Sequence, residues 1–407
     1  MRKFQYAKEA FIATSLIVGI TILISSLPLK NEFLKGLRQD VNGFDIYDMT
    51  FTDDNKKRVR DTNIVIVEIG NSRDEIAQQI NIIEEYQPAV VAIDAYFEER
   101  RDSLSDNLLL ETIARHRNLV FGSRVDTVIE KSSWWSSKTE FTYLGNFFED
   151  ESNREHSGYI NFVGDDYSVV RTYPPFVQVN NKEVPAFTSK IIQKYSSEKF
   201  ASLKKRDEAE SVINYAGNIP DKYTSITKEE LDQYHQSNQL AFLLKNKIVI
   251  LGYFIKDGPL VLQDLHFSPL NSHIAGKAFP DMYGVVIHAN ILTMLINGKY
   301  ATLASNTVSY LFAFLFTFLF LWWVIYLHSV KSHPSHARIL LFQFIYILLV
   351  IYLFVQVFNL FLWKVPLSLI VISLVLCIEL LGLYKVVAKW LHKRFGYITV
   401  FKEKHPI

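Results

Sequence analysis

Four stretches of the chain are apolar and nearly free of charge, and they set its plan. They are residues 10–29, 300–330, 339–363 and 365–384, the last interrupted only by Glu379. A bilayer core of ~30 Å is crossed by about 20 apolar residues in a helix, so each stretch predicts a transmembrane helix. Arg2, Lys3 and Lys8 precede the first, as they would in a signal peptide. Its apolar run is longer than a signal peptide needs, and Ser25-Ser26-Leu27 is a poor cleavage site, so an uncleaved anchor is expected.

Between the first and second stretches the periodicity changes. Residues 30–61 are polar and irregular, and "TFTDDNKKRVRD" reads as a solvated loop. "TNIVIVEIG" (62–70) is a short β-branched run ending at glycine, a buried-strand signal. In residues 71–87, Ile76, Ile80, Ile83 and Tyr86 recur at helical spacing after an Asn-Ser cap. "PAVVAIDAYF" (88–97) predicts a second strand, 104–116 a helix and "NLVFGSRV" (118–125) a third strand. Alternation at this spacing implies parallel βαβ units. Further on, 158–179 reads as extended strands around a Gly-Asp-Asp turn, and 186–196 and 228–244 as helices. "SVINYAG" (211–217) and "KIVILGY" (247–253) read as buried strands, and 254–280 as a long loop. A last helix spans about 283–297 and stops at Gly298. The expected fold class is therefore α/β, a mostly parallel sheet flanked by helices, plus four transmembrane helices.

Charge orients these pieces. Residues 1–9 carry three basic side chains and one acid, the 331–338 loop carries Lys331 and Arg338 and no acid, and 385–407 carries six basic residues and one acid. Residues 30–299 carry 31 basic and 39 acidic residues, a net of −8 that the whole-chain value of +1 conceals. Short basic flanks stay in the cytoplasm, so both termini are expected inside and 30–299 outside. An acidic exported domain also argues against nucleic acid as a partner. The single cysteine, Cys377, excludes a disulfide framework within the chain.

Several motifs now stand in a recognisable order: "IVIVEIG", "AVVAIDAYF", "GYINFVGDDYSVVRTYP", "VINYAG", "KIVILGYF", "QDLHFSPL" and "MYGVVIHANILTMLINGKY", followed by three clustered spans. This order resembles the type-two CHASE domain (cyclases/histidine kinases associated sensory extracellular) over roughly residues 30–390. "GVVIHAN" and "GYINFVGDDYSVVR" are its most specific blocks. The resemblance implies an extracytoplasmic bacterial sensor with an α/β core, in the inner membrane and with 30–299 in the periplasm. Two features depart from the family pattern. Glu68 and Tyr167-Ser168 stand where the family often has Asp and Asp-Gly. No kinase, cyclase or phosphate-loop motif fits in the 23 residues after Tyr384, where the family commonly carries its output domain.

The candidate residues each have a bland and a sharp reading. On the 283–297 helix, Val285, His288, Ala289, Leu292, Leu295 and Ile296 share an apolar face, and Val286, Asn290, Thr293 and Asn297 a more polar one. His288 is then a hydrogen-bonded core residue, or a ligand contact or pH-sensitive switch. Asp264, His266 and His273 lie upstream without a recognised metal-ligand spacing, so no metal or cofactor is expected, and Asp264 stands as a ligand-binding or coupling candidate. Asp94 and Glu68 end two predicted parallel strands, where α/β sheets place ligands. They are caps, or a carboxylate pair facing one crevice. Arg171 pairs with Asp165 or Asp166 across the hairpin, or clamps an anionic ligand. Trp134 and Trp135 sit in a serine-rich insertion, as partner contacts or as edge packing. Glu379 is the ionisable residue of the fourth span, and Gln343, Gln356 and Asn359 offer interhelical hydrogen bonds in the third. No catalytic constellation is visible, so an enzyme is not expected. The expected function is a multi-pass sensor or receptor subunit that signals through the 283–297 helix to a separate protein. A structural or assembly subunit of an envelope complex is the alternative, and a homo-oligomer fits either.

Overall fold

The computed structural model describes residues 2–26, 45–51, 59–131, 137–149, 156–162, 169–256, 264–271, 279–330 and 335–401. Contacts divide the chain into two units, residues 32–301 and residues 1–31 with 302–407.

In the first unit the sheet strands are β1 (Ile64–Glu68), β2 (Val90–Ile93), β3 (Leu119–Lys131), β4 (Ser137–Leu144), β5 (Ser157–Tyr159), β6 (Thr224–Ile226) and β7 (Ile248–Gly252). Their order is β6-β1-β7-β2-β3-β4, with β5 also pairing β3. Every pair is parallel except the β3–β4 hairpin. Strands β1, β2 and β7 are buried along almost their whole length, as a sheet covered on both faces requires. Ile64, Ile66, Val90, Ala92, Ile248 and Ile250 enter one core, and Val65, Val67, Val91, Ile93, Val249 and Leu251 the other. This is the period-two alternation of a strand.

Helices α2 (Arg73–Glu85) and α3 (Ser103–Arg115) connect the early strands, and α2, α6 (Lys228–Gln236) and α7 (Leu240–Leu244) supply apolar residues to the second core. Helices α4 (Phe187–Tyr195) and α8 (Gly284–Asn297) pack in the first core, with α5 (Ser197–Arg206) contributing Leu203. Ser72 caps α2 through the Glu75 amide, and Thr227 with Glu230 forms a capping box on α6. The strand–helix alternation through residue 125 matches the expectation, within a few residues at each boundary.

Several elements differ. Strand β3 continues into the expected insertion as far as Lys131 and pairs antiparallel with β4, so the "FTYL" after the tryptophans is sheet. The expected 228–244 helix is two, separated by Asn238 in the left-handed region (φ 58°). Helix α5 and strand β6 had no expectation. "SVINYAG" gives only the two-residue strand Ser211–Val212, paired with Thr172–Tyr173 outside the main sheet. Helix α8 is buried along Gly284–Leu295 rather than on one face, so its polar side chains are interior and must find partners there. It ends at Gly298 (φ 64°), as expected.

The second unit holds α1 (Arg2–Ser26), α9 (Asn306–Val330), α10 (His336–Phe361) and α11 (Ser368–Phe395), four helices long and apolar enough to cross a membrane. Helix α9 begins six residues later than expected, because Thr302–Leu303 pairs with Trp363–Lys364. Helix α11 continues past 384 to Phe395, into the stretch expected as a basic tail. Gln343 Nε2 donates to the Leu374 and Val375 carbonyls at 2.5 and 3.0 Å, joining α10 to α11 as foreseen. The Glu379 side chain is 73% exposed, with His336 Nε2 at 3.9 Å, so it lies on the outside of the bundle rather than at its centre. Among the described residues the buried carboxylate of this unit is Glu9, which accepts from the Tyr384 hydroxyl. Placing the span boundary at residue 10 hid it.

Candidate functional site

The site grows from the carboxyl ends of three adjacent strands. Strand β7 lies between β1 and β2, with Glu68 opposite Gly252 and the Asp94 amide donating to the Leu251 carbonyl at 2.8 Å. Such strand ends are where open α/β sheets place ligands. The first turn of α8 rests on this edge. A Cβ on Gly252 would lie 2.5 Å from Val285 Cγ2 and 2.7 Å from Val285 Cβ. Glycine is therefore the residue that lets the helix approach the central strand.

On that helix His288 points at the sheet. Its Nε2 is 3.8 Å from Asp94 Oδ1, and the two side chains are 6% and 8% exposed. The Phe162 ring stacks on the imidazole at 4.9 Å and 26°, and Phe187 meets it edge-on at 5.2 Å. Among the described residues no hydrogen bond reaches the Asp94 carboxylate, and His288 Nδ1 has no hydrogen-bond partner. A second pair lies beside the first. His266 Nε2 is 3.9 Å from Asp264 Oδ1, with the two side chains 31% and 44% exposed. Both Asp264 oxygens and His266 Nε2 lie 3.5–3.6 Å from where a Cβ on Gly284 would stand, so this pair abuts the first residue of α8. The Leu265–His266 strand pairs with Met282–Tyr283, and the Gly284 amide donates to the Asp264 carbonyl at 3.1 Å. Phe162 also meets His266 edge-on at 5.1 Å, so one ring touches both imidazoles.

The electrostatics follow from this crowding. Burial, then the nearby Asp264, pushes the Asp94 carboxyl well above the usual carboxylate range. Burial pushes Asp264 up to about 6, although part of its side chain stays in solvent. Burial, with His266 adding to it and the Ile160 backbone opposing it, pushes His288 down to about 3. Both inner groups thus favour their uncharged forms. A small cavity of about 10 Å³ adjoins His288, lined also by Tyr159, Phe162, Tyr173 and Ile291. That is about the room of one water molecule. Among the described residues no group of three His, Cys, Asp or Glu side chains could hold a metal ion.

The other candidates fall elsewhere. Glu68 does not join Asp94: Oε2 accepts from the Lys228 amide at 3.4 Å, and its charged neighbours are Lys228, Glu229 and Glu230. It is a cap on α6. Asp165, Asp166, Trp134, Trp135 and His273 lie outside the described residues. Arg171 grips Asp48, Nη2 to Oδ2 at 2.5 Å and Nε to Oδ1 at 3.0 Å. Asp48 belongs to the 3-10 turn Ile46–Thr50, whose "DIYD" forms a capping box with Asp45, a signal present in the sequence but not singled out. The ion pair is mostly buried, at 15% and 10% exposure. Arg171→Ala should therefore cost about 2–3 kcal/mol in denaturant unfolding, somewhat below the ~3–5 kcal/mol of a fully buried broken pair. Arg171→Lys should fall between, because an ammonium lacks the forked geometry.

Asn290 is a strut. Its Oδ1 accepts from the Ala216 and Gly217 amides at 2.7 and 3.1 Å, and its Nδ2 donates to the Gly217 and Val286 carbonyls, each at 2.9 Å. One turn on, Thr293 donates to Asp61 Oδ2 at 2.8 Å and meets the Tyr223 hydroxyl at 3.1 Å. The polar stripe of α8 therefore fastens it to the 211–223 segment. Asp264, expected as a ligand-binding or coupling candidate, and His266, weighed in the sequence only for metal spacing, lie beside Asp94 and His288.

No curated protein and no solved structure matches the chain. A family model for the CHASE2 domain matches residues 22–330, more than half of the chain and all of the site just described. The chain belongs to the CHASE2 domain family, a family of extracellular sensor domains.

Proposed function

We propose that the protein is a multi-pass receptor subunit of a bacterial inner membrane, with both termini cytoplasmic and the α/β domain in the periplasm. The domain detects a ligand or partner, and α8 relays the change to the membrane helices and through them to a separate output protein. The observation that carries this reading is the position of the Asp94–His288 pair. It is buried, no hydrogen bond among the described residues reaches the Asp94 carboxylate, and it joins the end of β2 to the first turns of α8. Only residues 299–305 separate the stop of α8 at Gly298 from α9, the second span. A shift of ~1–2 Å in such a helix is an ordinary signalling movement. The sensor role of the family and the four apolar helices support the reading.

The test is purification from the native membrane in mild detergent, with everything that co-purifies identified by mass spectrometry. A kinase, cyclase or regulator at fixed ratio is expected. His288→Gln should alter that partner's activity while the complex stays intact. A fixed complex with envelope or secretion machinery, indifferent to His288→Gln, would replace the receptor reading with an assembly role.

A further inference from the structure

We infer that the stimulus is acidity: the proton is the ligand of this domain, taken up where the half-exposed Asp264–His266 pair adjoins the buried Asp94–His288 pair at the start of α8. The inference rests on the receptor reading and names its stimulus.

Three geometric observations carry it. First, Asp94 is a carboxylate in the interior that no hydrogen-bond donor reaches among the described residues, with only an imidazole 3.8 Å away. A buried carboxylate in that setting needs a proton or a cation. Second, the cavity beside His288 is about 10 Å³, the room of about one water molecule. A proton needs no cavity. Third, the outer pair keeps 31% and 44% of its side-chain area in solvent, so the cluster connects water to the interior. Phe162 touches the imidazoles of both pairs, so a change in one bears on the packing of the other.

The groups that act on the inner pair can be named from each element packed there. Asp94 comes from the end of β2, and Asp264 and His266 from the 264–266 segment. Tyr159 and Tyr173 line the cavity beside His288, and burial pushes both hydroxyls up, so they keep their protons in this range, while Phe162, Phe187 and Gly252 carry no charge. Asp264 sets the window. Its native value of about 6 exceeds the ordinary 3.8, so the native state holds this proton from about pH 6 downward. Stability from it is complete below the ordinary value and is lost as pH rises through about 6. Above that point the ionised Asp264 pushes the Asp94 carboxyl further up, against the first turn of α8. His288 runs the other way: its value is lowered, so it disfavours the native state as pH falls below its ordinary range. Burial favours the uncharged forms of the inner pair while the outer carboxyl switches.

Hydrogen–deuterium exchange of the full chain in nanodiscs, corrected for the intrinsic effect of pH on exchange, tests this between about pH 7.5 and pH 5. The wild type should show at least about a threefold change in exchange across residues 284–297, with a midpoint near pH 6. Asp264→Asn, at a half-exposed position that tolerates substitution, should hold the acid pattern at both ends and lose more than half of the step. Asp94→Asn, which keeps an uncharged side chain at the inner position, should leave the step in place. A step of unchanged size and midpoint in Asp264→Asn, or no step in 284–297 of the wild type, would overturn the inference. The receptor reading fails separately: it falls if the step is present and abolished by Asp264→Asn while the output protein of the native complex ignores pH.

Discussion

Asn290→Leu should be the most destabilising single substitution in the extracytoplasmic unit, at roughly 2–6 kcal/mol. The side chain is fully buried and makes four hydrogen bonds, two of them accepted from the Ala216 and Gly217 amides. Leucine is close in size and leaves both amides without an acceptor in a dry interior, at ~1–3 kcal/mol each. The loss should register as an earlier unfolding transition of the full chain in detergent. It should also increase exchange across 211–223, because that segment contributes only a two-residue strand outside the main sheet. Asn297, the exposed end of the same stripe, supplies the control, and its alanine variant should stay within about 0.5 kcal/mol of wild type. A loss of less than about 1 kcal/mol in Asn290→Leu would contradict the strut.

Gly252→Ala should cost about 1–3 kcal/mol, the usual range for overpacking a tight interior, and Gly252→Val more. The new methyl would stand 2.5 Å from Val285 Cγ2, closer than real Cβ contacts come. Either α8 lifts from β7 or the side chains leave their rotamers. The cost is specific to one contact, so Val285→Ala on top of Gly252→Ala should recover at least about 1 kcal/mol relative to additivity. Simple additivity of the two losses would mean that the helix does not rest on this glycine.

Much of the fold was legible because parallel strands and amphipathic helices write themselves as short-range patterns. "IVIVE", "VVAI" and "IVILG" are β-branched runs buried on both faces, and each became a central strand. The misses share a cause. Strand β6, "TSI", is three residues long at the edge of the sheet, and its place is set by pairing with β1 rather than by its own composition. "SVINYAG" is as apolar as a strand, yet its backbone partners are the side chain of Asn290 and a two-residue ladder. Periodicity cannot register a partner some 74 residues away.

The site divides the same way. His288, Asp94 and Asn290 could be singled out because polar groups in apolar runs need partners. Which partners they take is a matter of topology. Glu68 and Asp94 end strands on either side of β7, but Glu68 caps α6, and the second carboxylate of the site is Asp264, 170 residues further along the chain than Asp94. Arg171 finds Asp48, which lies 123 positions away. The pairing of Asp264 with His266 was local enough to see, but only the loop that brings both to Gly284 gives it meaning.

The central claim is that a change at Asp94 and His288 travels along α8 into the membrane helices. The most direct measurement is the maleimide-labelling rate of a cysteine introduced by Ser305→Cys, an exposed position immediately before α9, compared between the otherwise wild-type chain and the His288→Gln variant. The native Cys377 is buried and contributes little background. The account predicts a change of at least about fivefold, the low end of ordinary coupling between sites. Equal rates at position 305, in a folded variant whose α8 exchange has changed, would mean that the helix does not carry the signal to the membrane.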